Sequence, residues 1–262
     1  MNIIQAVALG VVEGITEFLP ISSTFHLIFT AKILGIVQTD FTKLFEVFIQ
    51  GGAILSAALL FFTDVVKYKD QTKRVIISFI PTALVGLILY KFIKNVLFEN
   101  QILMVGIFAL MGIVFIVVER LVKKKRINLI KDIKSLSYKE ALIVGLFQSL
   151  AVIPGVSRAG IVIVAMMALG YKRDKSAYYS FLLAIPTVLA ASFYDLFKMR
   201  SLISHYSGDL LLLIVGFSAA FFSSLLVLKW FINYLKNNSL SVFGFYRLLL
   251  AIILTLSLLL KV

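Results

Sequence analysis

The sequence contains no cysteine. Disulfides, thiolate nucleophiles and zinc–thiolate centres are therefore excluded. Charge is scarce as well: 15% of the 262 residues are Asp, Glu, Lys or Arg, 61% are hydrophobic, and mean hydropathy is +1.02. A soluble domain is nearer half apolar and a quarter charged, so the composition selects a multi-span helical membrane protein. Acidic residues are the scarcer charge, 13 against 26 Lys and Arg. The resulting net charge of +13 does not point to nucleic acid, because the basic residues fall in short segments between apolar runs. There they signal topology and attract anionic head groups, which makes membrane lipids the expected partners. The N-terminus lacks a basic n-region and a small-residue cleavage site, and its apolar run carries two glutamates. A cleavable signal peptide is not expected.

Only four prolines occur, and two of them, Pro20 and Pro154, interrupt apolar runs. Residues 3–19 and 25–37 flank Pro20 and a Ser-Ser-Thr run, and neither piece is a clean span. Residues 141–153 and 161–169 flank Pro154-Gly155-Val156-Ser157-Arg158-Ala159-Gly160 in the same way. Each pair reads as a re-entrant helix–break–helix hairpin, which membrane depth tolerates only where protein or a wet cavity covers the backbone. Six longer runs are expected to cross the membrane: 45–62, 75–92, 102–118, 177–194, 210–232 and 242–260. The fold class is all-α integral membrane, with six transmembrane helices and two re-entrant hairpins.

The two hairpins look like copies. Gly10-Val-Val-Glu13 with Phe18-Leu-Pro20-Ile-Ser22-Ser23 aligns with Gly145-Leu-Phe-Gln148 and Val152-Ile-Pro154-Gly-Val-Ser157, allowing a one-residue slip. Each is followed by three spans, so residues 1–262 form one polytopic domain with an inverted repeat of about 1–118 and 140–262. Basic residues concentrate in 63–74 (Lys67, Lys69, Lys73, Arg74), in the connector 119–139 and in 170–176 (Lys172, Arg173, Lys175). These segments are expected on the cytoplasmic side, with 93–101, 195–209 and both termini outside. The first hairpin then enters from outside and the second from inside, and their tips meet near the midplane.

That meeting would gather Glu13, Glu17, Ser22, Ser23, Thr24 and His26 with Ser157, Arg158 and Gly160. Glu13 and Glu17 are four apart on one helix face, tolerable when they share a proton, a metal ion or a cationic partner. Free backbone N–H groups at the Gly-rich break suit phosphate oxygens, and arginine clamps phosphate through two hydrogen bonds. A serine attacks phosphorus when glutamate or histidine takes its proton. Glu46 and Gln50 share a face that looks into the bundle; they either pack it or support the site, and Gln148 is grouped with them as a supporting residue. Arg247 either snorkels or pairs with a buried acid. Tyr178, Tyr179, Tyr194, Tyr246 and Trp230 read as interfacial anchors, and His205 as a solvated loop residue.

Glu13-x-x-x-Glu17, Pro20-x-Ser22-Ser23-Thr24-x-His26 and Pro154-Gly-x-Ser157-Arg158-x-Gly160 together resemble the undecaprenyl pyrophosphate phosphatase family of the bacitracin-resistance type. The resemblance extends to Phe45-Glu46 with Gln50-Gly51 and to Phe181-Leu-Leu-Ala-Ile-Pro186. It implies a multi-pass enzyme of the bacterial plasma membrane that depends on a divalent cation, Mg²⁺ or Ca²⁺. The implied reaction removes one phosphate from a C55 polyprenyl diphosphate, recycling the lipid carrier of cell-wall synthesis. Carried over by position, Glu13 and Glu17 match the acidic motif, Ser23 the nucleophile, His26 the essential histidine and Arg158 the diphosphate-binding arginine. Phe25 stands where glycine is usual and Ala159 where serine is usual; Phe25 is expected to narrow the mouth or restrict the backbone. The alternative class is a carrier or flippase for the polyprenyl phosphate, because broken helices in inverted repeats are also a transporter design. The sequence leaves the oligomeric state open, a homodimer included.

Overall fold

The structure, a computed structural model, describes residues 1–92, 100–200 and 210–260. Helix α1 (Ile3–Thr16) opens at Asn2, whose side chain accepts from the Gln5 N–H while the Gln5 side chain accepts from the Asn2 N–H. A turn through Pro20 separates it from α2 (Ser23–Ile33). Helix α3 (Asp40–Leu60) starts from a Thr39 cap and is followed by α4 (Phe62–Lys67), α5 (Lys69–Phe92) and α6 (Gln101–Lys123). Ser137 and Glu140 form a second capping box at α7 (Tyr138–Ser149). After a short 3-10 turn come α8 (Arg158–Ala168), α9 (Arg173–Lys198), α10 (Leu210–Asn237) and α11 (Ser241–Leu260).

Five of these helices, α3, α5, α6, α9 and α10, are long and apolar enough to cross a membrane. The run expected as a sixth span, α11, counts with the shorter apolar helices through Ser241–Ser257. The exterior carries bulky apolar side chains such as Ile88, Ile102 and Leu226, each at least 75% exposed, which is the surface a lipid solvent calls for. The helices outrun the apolar runs that announced them. The basic segment 63–74 is no loop: α4 and the first turns of α5 occupy most of it. Lysine and arginine are good helix formers, so a helix continues past the point where its hydrophobicity stops. The connector likewise begins inside α6, which runs to Lys123.

Packing exchanges the two halves. Helix α1 lies along α10, and α7 lies along α5, so each hairpin's first arm packs on a span from the other half of the chain. The close approach fixes Gly10 and Gly145: a Cβ would meet the Gly216 carbonyl oxygen at the first and the Ser78 carbonyl oxygen at the second. Across the centre, α3 packs on α9 and α6 on α11. At one end of the bundle, Lys131 and Tyr171 form an isolated parallel bridge, joining the connector to the turn before α9. At the same end Glu119 takes two hydrogen bonds from Arg173, at 2.8 and 2.5 Å, and one from the Leu240 N–H at 2.8 Å. The segments 119–139 and 170–176 therefore share one end. His205 and the segments 93–99 and 201–209 lie outside the described residues.

Candidate active site

The site is built where the two breaks meet. Pro20 has no N–H to continue α1, and the chain turns until Ser22. Ser22 adopts φ 67° and Ser157 adopts φ 74°, both left-handed and both immediately before a short helix. A non-glycine residue held there costs about 1–3 kcal/mol and persists only when its surroundings over-determine it.

Arg247 supplies much of that determination. This α11 side chain is fully buried. Its Nε donates to the Phe108 carbonyl at 2.9 Å, Nη1 to the Pro20 carbonyl at 3.0 Å, and Nη2 to the Gly155 carbonyl. One planar fork thus ties both breaks to α6, with the Phe108 ring 4.1 Å beneath it. Neither sequence expectation holds for Arg247: it does not snorkel, and its hydrogen bonds go to carbonyls rather than to an acid. The buried carbonyls freed by the breaks need a donor, and a guanidinium offers five.

On this frame the reactive groups converge. The Ser23 hydroxyl donates to Glu17 Oε2 at 2.5 Å. Arg158 Nη2 donates to Glu17 Oε1 at 2.8 Å and to the Glu17 carbonyl at 3.3 Å, while Nη1 donates to the Ser180 carbonyl at 3.1 Å. Glu17 and Arg158 are 141 residues apart in sequence, so the expected meeting of the hairpin tips is present in the fold. Arg158 Nε is buried without a hydrogen-bond partner. One turn back along α1, Glu13 is fully buried, and neither of its carboxylate oxygens has a partner among the described residues. Buried polar atoms are normally satisfied, so these orphans mark a place prepared for something else.

The remaining residues divide. Thr24 lies half-buried in the first turn of α2. Ser157 Oγ accepts from the Gly160 N–H at 3.2 Å, capping α8 beside Arg158. His26 does not reach Ser23: its Nδ1 lies 2.8 Å from the Ser22 carbonyl and its Nε2 2.7 Å from the Tyr246 hydroxyl. The glutamate, and not the histidine, is therefore positioned to take the serine proton. Glu46 accepts from Gln38 at 3.2 Å, whereas Gln50 is half-buried on the same helix. Gln148 belongs elsewhere: its amide donates to Thr82 at 2.9 Å and Thr187 at 3.1 Å, tying α7 to two spans. Phe25 does not narrow a mouth. It is fully buried and stacked on Phe108 at 3.9 Å, facing the α6 side of the fold. Ala159 is buried at the start of α8.

The sequence does not bring Tyr246 or Arg247 to the site: Tyr246 reads as an interfacial anchor, and Arg247 as snorkelling or acid-paired. A Tyr-Arg pair inside an apolar run was the available signal, since a cation at membrane depth needs a partner.

The family described as Bacitracin resistance protein BacA matches residues 6–253. The chain is similar to the undecaprenyl-diphosphatase of Aquifex aeolicus, 47% identical over 249 residues, covering 95% of this chain and 96% of the relative. It is 44% identical over 255 residues to the undecaprenyl-diphosphatase of a Sulfurihydrogenibium species, covering 97% and 98%. It is 39% identical over 254 residues to that of Methanococcus aeolicus, covering 97% and 98%. A family match from the first turns of α1 to the middle of α11, on a chain whose hairpin tips join through Glu17 and Arg158, places this protein in the BacA family.

Proposed function

We propose that the protein hydrolyses undecaprenyl diphosphate to undecaprenyl phosphate and inorganic phosphate, recycling the cell-wall lipid carrier. The observation that carries this reading is the chain Ser23 Oγ–Glu17–Arg158, a nucleophile on a base that a phosphate-binding cation holds in place. In the first step Ser23 Oγ bonds to the terminal phosphorus and its proton passes to Glu17 Oε2. The bridging P–O bond breaks, and undecaprenyl phosphate leaves with the electron pair. In the second step water attacks the phosphoserine, His26 Nε2 takes a water proton, and Ser23 Oγ leaves, recovering its proton from Glu17. Arg158 turns its buried free Nε and its fork toward the phosphoryl oxygens. A carrier needs no nucleophile already bonded to a base, and the curated relatives are named for the hydrolase.

Glu13 and Glu17 fit a hard divalent cation, because the orphaned Glu13 oxygens are the ligands such an ion takes. Among the described residues no three His, Cys, Asp or Glu side chains are placed to hold one ion together. Two carboxylates suit Mg²⁺ that takes its other oxygens from substrate and water, more than a Ca²⁺ cage of six to eight ligands. Bound there, the ion would neutralise diphosphate charge.

The proposed architecture is six crossing helices and two re-entrant hairpins in inverted halves, in the bacterial plasma membrane with both termini outside. The reciprocal packing of α1 on α10 and α7 on α5 supports it. Cysteine at Lys124 should resist an impermeant thiol reagent in intact cells while cysteine at Val37 is labelled; the reverse result inverts the topology.

The deciding experiment measures phosphate release from farnesyl diphosphate by the detergent-purified protein. Release that chelator abolishes and millimolar Mg²⁺ restores is the expected result. Absence of release under any metal condition overturns the hydrolase reading.

A further inference from the structure

Tyr246 lies on α11 beside the buried Arg247, yet it is 40% exposed. Its hydroxyl is 2.7 Å from His26 Nε2, and the two rings stack with centroids 5.8 Å apart and planes 10° from parallel. The other ring nitrogen, Nδ1, faces the Ser22 carbonyl at 2.8 Å. A carbonyl oxygen only accepts, so Nδ1 carries the hydrogen. In the neutral ring Nε2 then has a lone pair, and the phenol is its donor. Two elements from opposite ends of the chain thus determine one tautomer. The left-handed Ser22, φ 67°, aims its carbonyl at Nδ1, and α11 places a hydroxyl at Nε2. In water a neutral imidazole prefers the opposite form, with hydrogen on Nε2.

We propose that Tyr246 is a positioning residue for the phosphatase reaction: it holds His26 as the Nδ1–H tautomer, with the Nε2 lone pair kept at the partly exposed edge of the site. The assignment rests on the hydrolase reading given above. It explains why the essential histidine is turned away from Ser23. A base for the incoming water must offer a lone pair on the solvent side of the phosphoserine, and must not compete with Glu17 for the serine proton. In the resting site the Tyr246 phenol donates to Nε2, and the attacking water would replace it as the donor.

The chain has two histidines, so ¹⁵N-histidine labelling of the detergent-solubilised protein gives two ring systems, with His205→Ala assigning them. Long-range ¹H–¹⁵N spectra above neutral pH should show His26 with hydrogen on Nδ1. Tyr246→Phe keeps the stacked ring and removes only the hydroxyl. It should move His26 toward the Nε2–H form and lower kcat by about three- to ten-fold, the scale of one neutral hydrogen bond, with KM nearly unchanged. A wild-type His26 protonated on Nε2, or a tautomer indifferent to Tyr246→Phe, overturns the proposal. The spectra need no turnover, so they decide it separately from any failure of phosphate release.

Discussion

The two broken hairpins share a backbone device and differ in what they leave unsatisfied. Both place a serine at positive φ before a short helix, and both bury a polar side chain at the matching place in their first arm. In the second hairpin Gln148 Oε1 and Arg158 Nε are buried without partners, while its other named polar groups are bonded. Gln148 donates to Thr82 and Thr187, and Ser157 caps Gly160. In the first hairpin Glu13 keeps two bare oxygens, Ser22 makes no side-chain cap bond, and Ser23 is spent on Glu17. The lesson is that two similar breaks differ in the kind of group left open: carboxylate oxygens in the first, an amide oxygen and a guanidinium N–H in the second. In the proposed mechanism the first break supplies the nucleophile and the second the clamp.

The sharpest way to break this comparison is to treat both breaks alike. Ser23→Ala should lower kcat on the order of 10⁴–10⁶, as loss of a nucleophile does. Ser157→Ala loses a cap worth about 1 kcal/mol and should stay within about ten-fold. Arg158→Lys falls between, at roughly 10²–10³, because the planar fork is lost while the charge remains. Phosphate release measures all three, and a Ser157→Ala enzyme as dead as Ser23→Ala would end the division of labour.

The second prediction exchanges the buried pair. Glu13→Gln removes a fully buried carboxyl group from beside Glu17, so thermal stability in detergent should hold or rise while activity collapses. Gln148→Glu removes the amide donor from Thr82 and Thr187 and buries a new carboxylate. Its melting temperature should fall by between about 2 and 12 °C. Equal melting temperatures for the two variants would mean that the arms are equivalent in stability.

The smallest effect belongs to the aqueous end of the second hairpin. Partial burial works against the Glu140 carboxylate, but hydrogen bonds from Lys131, Ser137 and Tyr171 hold its pKa down to about 2 from an ordinary 4.5. A depressed folded value stabilises above the unfolded pKa and is lost as pH falls. Thermal unfolding of the wild type should therefore weaken between about pH 4.5 and 2. Glu140→Gln should flatten that dependence.

Much of this was legible in the sequence because membrane chemistry punishes polarity. Glu13, Glu17, His26 and Arg158 stood out against apolar neighbours, and Pro20 and Pro154 marked the breaks. The meeting of Arg158 with Glu17 followed from counting spans. What stayed hidden depended on direction rather than identity. Which nitrogen of His26 faces which group is fixed by the φ of Ser22, which a serine codon does not declare. The sequence pattern did not separate Gln148 from the site, since its threonine partners come from two other helices. Arg247 was misjudged because its partners are carbonyls, and carbonyls leave no trace in a pattern of side chains. Helix ends were misplaced where lysines continue a helix that hydrophobicity had stopped describing.

The exchange of arms between halves bears on how the molecule is made. Helix α1 leaves the ribosome first, yet the groove that receives it is cut by α10, which follows almost the whole chain. A nascent N-terminal half carries Ser23, Glu13 and Glu17 without Arg158 and without the helix that α1 packs on. The packing that surrounds α1 is therefore completed only when the last helices are made. A chain truncated before α10 would already contain Glu17, Ser23 and Arg158, yet it would lack the helix that α1 packs on and the Arg247 fork that donates to the Pro20 and Gly155 carbonyls.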